Sequence, residues 1–209
     1  MSVRHTHQEA REPSRIGGRT LKNAPISEGG AAPVPGYGGV AKALHWLIFL
    51  LLVAQYAVAW TMPGIHRGTR PEGLINVHLS LGLVILALAV LRLLWRVAHP
   101  VPLPRDNMPA WQYRGAQIVH ALLYLVLIVL PLMGWANASA RGWTVHFLGL
   151  LPLPRILPTG SPLGRELGDI HVWASYALLA LVGLHFAAAL YHRFWLRDRV
   201  LERMLPGAG

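Results

Sequence analysis

Cysteine is absent from this chain of 209 residues. Without cysteine the protein cannot form disulfides, bind an iron–sulfur cluster through thiolates, or attach a c-type haem through a C-x-x-C-H motif. Any redox cofactor of this chain must therefore be bound through nitrogen or oxygen ligands, or without a covalent bond to the protein.

Charged residues are also scarce, at 13% of the sequence, whereas 54% is hydrophobic and the mean hydropathy is +0.41. This composition is far more apolar than that of a soluble domain of this length. Four stretches are long enough to cross the hydrocarbon core, which needs about 20 residues. They predict an all-α membrane protein, a four-transmembrane-helix up-down-up-down bundle, with spans at residues 44–62, 74–91, 117–136 and 170–192.

Large apolar residues are few in residues 1–39, which combine arginine and lysine with glycine, proline and serine. Such a stretch cannot build a core, and it has no apolar segment typical of a secretory signal peptide. We expect a disordered cytoplasmic N-terminal arm over residues 1–39 and one membrane domain over residues 40–209.

The basic residues are distributed unequally between the two sides of the predicted bundle. The arm through Lys42, the connection after the second span and the tail after His192 carry fourteen lysines and arginines, and the other two connections carry five. The positive-inside rule then places both termini in the cytoplasm. Topology explains the net charge of +10 without a nucleic-acid partner.

Histidines recur at matched depths in the predicted spans. His171 and His185 are fourteen residues apart, which on a helix is about 1400° of rotation and about 21 Å of rise, so they share one face near opposite sides of the bilayer. His78 opens the second span at the depth of His171, and His45 opens the first span at the depth of His185. Ionisable residues at such depths are functional by default. We therefore pair His45 with His185 and His78 with His171.

Each pair can supply the two axial imidazoles of one low-spin haem, so the pattern predicts two stacked haems and a role in electron transfer. His120 enters the third span at the depth of His45 and His185. It either replaces one of them or donates a hydrogen bond to a ligand or a propionate; the second role is favoured. The remaining histidines are expected to be solvated in arms or loops: His5, His7, His66, His99, His146 and His192.

The sequence around these histidines resembles the bacterial cytochrome b561 family, also called the prokaryotic superoxide oxidase family. The resemblance runs from about Tyr37 to Pro206. It rests on KALHWLIFLL around His45, INVHLSLGLVIL around His78, VHALLYLVLIVLPLMGW and DIHVWASYALLALVGLHFAAALYHRFWLRDRVLERMLP. Members are di-haem membrane cytochromes, and the motif histidines that match His45, His78, His171 and His185 are their haem b ligands.

The resemblance implies an oxidoreductase of the bacterial inner membrane that transfers single electrons between a periplasmic donor and the quinone pool. One activity of the family oxidises superoxide and reduces ubiquinone. An anionic donor would be attracted by cations near the outer haem. Five arginines are available for this on the outer side: Arg67, Arg70, Arg141, Arg155 and Arg165. No catalytic residue is assigned.

Arg92 and Arg96 close the second span at its cytoplasmic end. Forked guanidinium donors suit a haem propionate, although the positive-inside rule alone would also place arginines there. Two other functions remain open. The chain could be the cytochrome b anchor of a multisubunit dehydrogenase or hydrogenase, with a redox partner protein, or a haem-free transporter that relays protons through its histidines.

Overall fold

The computed structural model describes residues 36–101 and 109–205. They form four long helices: α1 (Gly39–Thr61), α2 (Leu74–Ala98), α3 (Ala110–Ala140) and α4 (Pro162–Tyr191). Each is long and apolar enough to cross a membrane. The chain is thus an all-α multi-pass membrane protein, as predicted. Residues 1–35 of the expected N-terminal arm lie outside the described residues.

The helices extend beyond the spans that hydropathy indicates. α4 begins at Pro162 rather than at residue 170, and α3 begins at Ala110 rather than at residue 117. Charged residues such as Arg114 and Arg165 lower the hydropathy of these added turns but do not interrupt a helix. Proline is also well suited to the first turn, where its missing N–H is not needed. Consequently the histidines predicted to open helices lie one to three turns inside them.

Consecutive helices pack against each other, α1 on α2, α2 on α3 and α3 on α4. We call the inner end the one where α1 and α3 begin, and the outer end the one where α2 and α4 begin. The Tyr56 hydroxyl of α1 donates a hydrogen bond to the carbonyl oxygen of Ser175 in α4, at 2.6 Å. This contact links the first helix to the last and completes the bundle.

Helices α3 and α4 approach each other closely near the outer end. A Cβ added at Gly168 would lie 2.3 Å from Nδ2 of Asn137, so no larger residue fits there without rearrangement. The same Nδ2 donates to the carbonyl oxygen of Gly164 at 2.8 Å. Small residues at such positions let helix backbones approach in a membrane.

The connection between α3 and α4 folds back over the outer end of the bundle. It contains a short antiparallel hairpin, β1 (His146–Phe147) and β2 (Leu151–Pro152). Val145, just before β1, packs with Leu83 of α2 and Ala138 of α3. The hairpin is therefore anchored to the helices by apolar contacts.

The segment after α4 returns to the inner end of α1. A π-helical turn (His192–Leu196) and a 3-10 turn (Glu202–Met204) follow the helix. The carbonyl oxygen of Met204 accepts a hydrogen bond from the indole N–H of Trp46 at 2.8 Å. This bond fastens the C-terminal segment to the turn of α1 that carries His45.

Much of the helix surface is apolar and exposed. Leu50 is 61% exposed, and Trp173 and Trp195 are 76% and 78% exposed. A soluble protein rarely leaves such large side chains in water across four helices. The exposed surface is that of a bundle in contact with lipid, with tryptophans toward the two interfaces.

Candidate functional site

Two histidines face each other near the outer end of the bundle. His78 lies one turn into α2 and His171 lies in the third turn of α4. Their ring centres are 6.2 Å apart, and their planes are inclined at 74°. We call this pair the outer level.

A second pair has nearly the same geometry near the inner end. His45 of α1 and His185 of α4 have ring centres 6.1 Å apart and planes inclined at 73°. His120 of α3 lies beside them, with its ring centre 5.2 Å from that of His185. These three histidines form the inner level. The structure thus brings together both pairs that the depth argument expects.

The separations within the two pairs fit a metal ion held between two imidazoles. Such a bond is about 2.0–2.1 Å long, and the ring centre lies about 1.1 Å behind the nitrogen, so two rings across one metal are about 6.3 Å apart. His45 and His185 match this value, as do the outer-level rings. His120 and His185 are about 1 Å too close. His120 therefore does not suit the position across a metal from His185.

Protein side chains alone do not complete a metal site at either level. In residues 36–101 and 109–205, no group of three or more histidine, aspartate or glutamate side chains could hold a metal ion. A metal between two imidazoles would need its other ligands from a cofactor. A haem provides four nitrogens in a plane and leaves the two axial positions to the protein.

The outer level borders a cavity of about 660 Å³, within the range of cofactor sites. His78 and His171 line it, together with Gly82 and Gly134. The buried atoms Nδ1 of His78 and Oε1 of Gln55 have no hydrogen-bond partner among the described residues. A cavity that lies between two imidazoles and contains unpartnered polar atoms fits a bound haem.

Backbone carbonyls fix the tautomer of two histidines. Nδ1 of His171 is 2.9 Å from the carbonyl oxygen of Leu130, and Nδ1 of His120 is 2.7 Å from that of Ala116. Because a carbonyl only accepts, Nδ1 carries the proton in both rings. Nε2 is then unprotonated and able to bind a metal or accept a hydrogen bond.

Arg92 and Arg96 lie at the inner level around Tyr124. Arg92 donates a hydrogen bond to the Tyr124 hydroxyl, and its Nη2 is 3.4 Å from Nδ1 of His45. The Arg96 guanidinium is 5.8 Å from the Tyr124 ring centre. In the part of the chain that the structure describes, no carboxylate is within 4 Å of either guanidinium. Two partly buried cations without an acidic partner favour an anionic ligand.

Only some of the outer arginines are near the outer level. Arg141 and Arg165 line the cavity, as does the carboxylate residue Asp169. The Arg141 guanidinium donates to Oδ1 of Asn137 and lies 5.5 Å from the Trp143 ring centre. Arg67, Arg70 and Arg155 do not line the cavity. The set of five arginines expected from the sequence is thus reduced to two.

Three residues of the site were not predicted from the sequence, and the surroundings of one histidine differ from those expected. Gln55, Gly134 and Tyr124 were not singled out, although a glutamine inside an apolar span is a signal of a buried polar contact. His192 is not solvated as expected: its Nδ1 is 2.5 Å from Oδ2 of Asp198, and 15% of its side chain is exposed. The sharp turn at the end of α4 makes this contact, which hydropathy does not predict.

Comparisons with known proteins agree on one family. A family model described as prokaryotic cytochrome b561 matches residues 36–207. The chain is 31% identical over 175 residues to the probable superoxide oxidase CybB of Yersinia pestis, covering 81% of this chain and 96% of that protein. It is 30% identical over 165 residues to cytochrome b561 homolog 1 of Escherichia coli (strain K12), and the match covers 78% of this chain and 93% of that protein. Cytochrome b561 homolog 2 of the same strain is 27% identical over 170 residues, and the match covers 81% of this chain and 90% of that protein.

Proposed function

Because the chain belongs to the prokaryotic cytochrome b561 family, we propose that it is a di-haem b cytochrome that transfers electrons between a periplasmic donor and the quinone pool. A haem b bound by two imidazoles exchanges single electrons. The observation that carries this proposal is the ring separation, which fits one metal ion at each of two levels.

The chain's own residues divide the work of holding the two cofactors. His78 and His171 would hold the outer haem, and His45 and His185 the inner one. With two imidazoles held at each level, a bound haem would have no open site for oxygen. Electron transfer is therefore favoured over ligand binding.

Residues around the inner level would hold the cofactor's acidic groups and one of its ligands. Arg92 and Arg96 are placed to bind a propionate, because they are cations without an acidic partner among the described residues. His120 keeps its Nε2 available and is too close to His185 to bind across the same iron. With its proton on Nδ1, His120 can only accept at Nε2, so of the two roles expected from the sequence we assign it a hydrogen bond with a ring N–H of a ligand such as His185 and not one with a propionate.

The donor is proposed to be a small anion such as superoxide. One relative is named a probable superoxide oxidase, and Arg141 and Arg165 give the outer cavity two cations that attract anions. Two superoxide ions would give two dioxygen molecules and two electrons, which with two protons reduce one ubiquinone to ubiquinol. The excess of basic residues at the inner end supports cytoplasmic termini in the bacterial inner membrane.

The decisive experiment counts haem per chain. We expect a b-type reduced-minus-oxidised spectrum and two haems by the pyridine haemochrome assay, falling to about one in His171→Ala and in His185→Ala. His99→Ala is the matched control, because this histidine stacks on Trp95 outside both levels. A colourless protein, or two haems in both variants, contradicts the proposal.

A second experiment tests the donor. Superoxide generated enzymatically should reduce the purified cytochrome in the presence of ubiquinone, and added superoxide dismutase should abolish this reduction. A cytochrome that ignores superoxide and co-purifies with a redox subunit would instead be the membrane anchor of a larger dehydrogenase or hydrogenase.

A further inference from the structure

His171 occupies space on α3 that a side chain at residue 134 would fill. Its Nδ1 donates to the carbonyl oxygen of Leu130 at 2.9 Å. In an α-helix this carbonyl points toward the residue four positions later, which is Gly134. A Cβ added there would lie 3.1 Å from Cε1 and 3.3 Å from Nδ1 of His171. An alanine there would thus push the imidazole by a few tenths of an ångström from its place beside the carbonyl.

We propose that Gly134 is a positioning residue for the outer haem: by lacking a side chain, it lets the Leu130 carbonyl fix the orientation and tautomer of His171. This inference rests on the proposed function, in which Nε2 of His171 is an iron ligand. The glycine does not touch the iron, and it acts only through the imidazole.

The two outer ligands are unequal in this respect. His171 has a carbonyl acceptor, whereas Nδ1 of His78 is buried without a partner among the described residues. When the ring N–H that does not face the metal donates a hydrogen bond to an acceptor, the imidazole becomes a stronger electron donor to the metal. Such a donor stabilises ferric iron more than ferrous iron. The contact with Leu130 should thus lower the midpoint potential of the outer haem.

Other glycines of the bundle lack this relationship. A Cβ at Gly82 would be 3.4 Å from Nε2 of Gln55, which is an ordinary contact, and one at Gly115 would have nothing within 4 Å. Gly115 is on the same helix as Gly134, far from the outer level. Gly115→Ala is therefore a matched control for the same change of residue.

The first test is a redox titration of Gly134→Ala. Loss of an outer partner of a metal ligand costs about tenfold in affinity or more. We expect the preference of His171 for ferric over ferrous iron to fall about tenfold. The midpoint potential of the outer haem should then rise by about 59 mV, and that of the inner haem should not change. The electron paramagnetic resonance signal of the outer haem should also change. The inner haem and Gly115→Ala should keep the original potentials, and an unchanged outer haem in Gly134→Ala overturns the proposal.

The second test keeps the glycine and replaces the ligand, so it does not depend on how Gly134→Ala folds. In His171→Gly, added imidazole can bind the iron and donate to Leu130, whereas 1-methylimidazole can bind the iron but has no N–H to donate. We expect imidazole to bind the ferric haem about tenfold more tightly. 4-Methylimidazole, which has both a methyl group and an N–H, controls for size and should behave like imidazole.

The haem count of His171→Ala, taken with the imidazole test, separates this inference from the function on which it rests. If His171→Ala retains both haems, the assignment of His171 as a ligand fails. If His171→Ala loses one haem but imidazole and 1-methylimidazole bind His171→Gly equally well, only the role of the carbonyl and Gly134 fails.

Discussion

Gly164 and Ala140 are in such close contact that a methyl group on the glycine would lie 2.2 Å from the Cβ of the alanine. The Cβ would also be 3.2 Å from the carbonyl oxygen of Ala136. The two backbones therefore meet directly where α4 begins and α3 ends. The contact sets the position of α4, the helix that carries a histidine of each level.

Gly164→Ala should separate the ends of α3 and α4 and destabilise the fold. Overpacking of this kind costs about 1–3 kcal/mol. Thermal unfolding in detergent should show a lower midpoint than for the natural chain. Gly115→Ala, which meets nothing within 4 Å, should unfold at or above the original temperature because alanine favours a helix. Equal midpoints for the two variants would contradict the close contact.

His120→Gln should leave both haems in place. The histidine is too close to His185 to bind across one iron from it. The pyridine haemochrome assay should still give two haems per chain, with the potential of the inner haem changed and that of the outer haem kept. Loss of one haem would instead show that His120 is an axial ligand.

Arg92→Gln should weaken the inner haem selectively. Without the Arg92 guanidinium, the negative charge of a haem propionate is more costly to bury. We therefore expect the inner haem to be retained about tenfold more weakly. Haem content should be measured while the detergent-solubilised protein is diluted. Arg155→Gln, at a guanidinium that donates to Thr159 at the outer end, should retain both haems. Equal retention in the two variants would remove Arg92 from the haem site.

The double variant Arg141→Gln and Arg165→Gln should react more slowly with superoxide. Two fewer cations at the outer cavity reduce electrostatic attraction, by about tenfold at low salt and less as the ionic strength rises. Stopped-flow reduction of the cytochrome gives the second-order rate constant. Arg114→Gln, on an exposed position at the start of α3, is the control and should not change it. If both variants react with superoxide as fast as the natural chain, the donor does not approach through this cavity.

Hydropathy predicted the number and order of the helices, because four apolar runs of sufficient length leave few alternatives. It did not predict where the helices end, since it measures preference for hydrocarbon and not the backbone conformation. The first turns of α4 contain Arg165, Glu166 and Asp169, which are polar but helical. They lie at the outer end of the bundle, where Arg165 and Asp169 line the cavity, so the helix continues beyond the apolar region.

The pairing of the histidines could be predicted from the sequence, because helical rise converts sequence position directly into depth. Depth alone does not separate His120 from His45, although His45 was favoured as the partner of His185 from the sequence. Only the distances to His185, 5.2 Å and 6.1 Å, distinguish them. The contact of His171 with Leu130 was also out of reach, because it depends on the rotation of α3 about its own axis.

Both levels share α4, whereas their partners come from α2 and α1. A single residue inserted between His171 and His185 would turn one of them by about 100° relative to the other. One imidazole would then leave its partner whatever the rest of the bundle does. Viable length changes in this segment are therefore restricted to near-integral numbers of helical turns, and each added turn would lengthen the gap an electron must cross by about 5.4 Å.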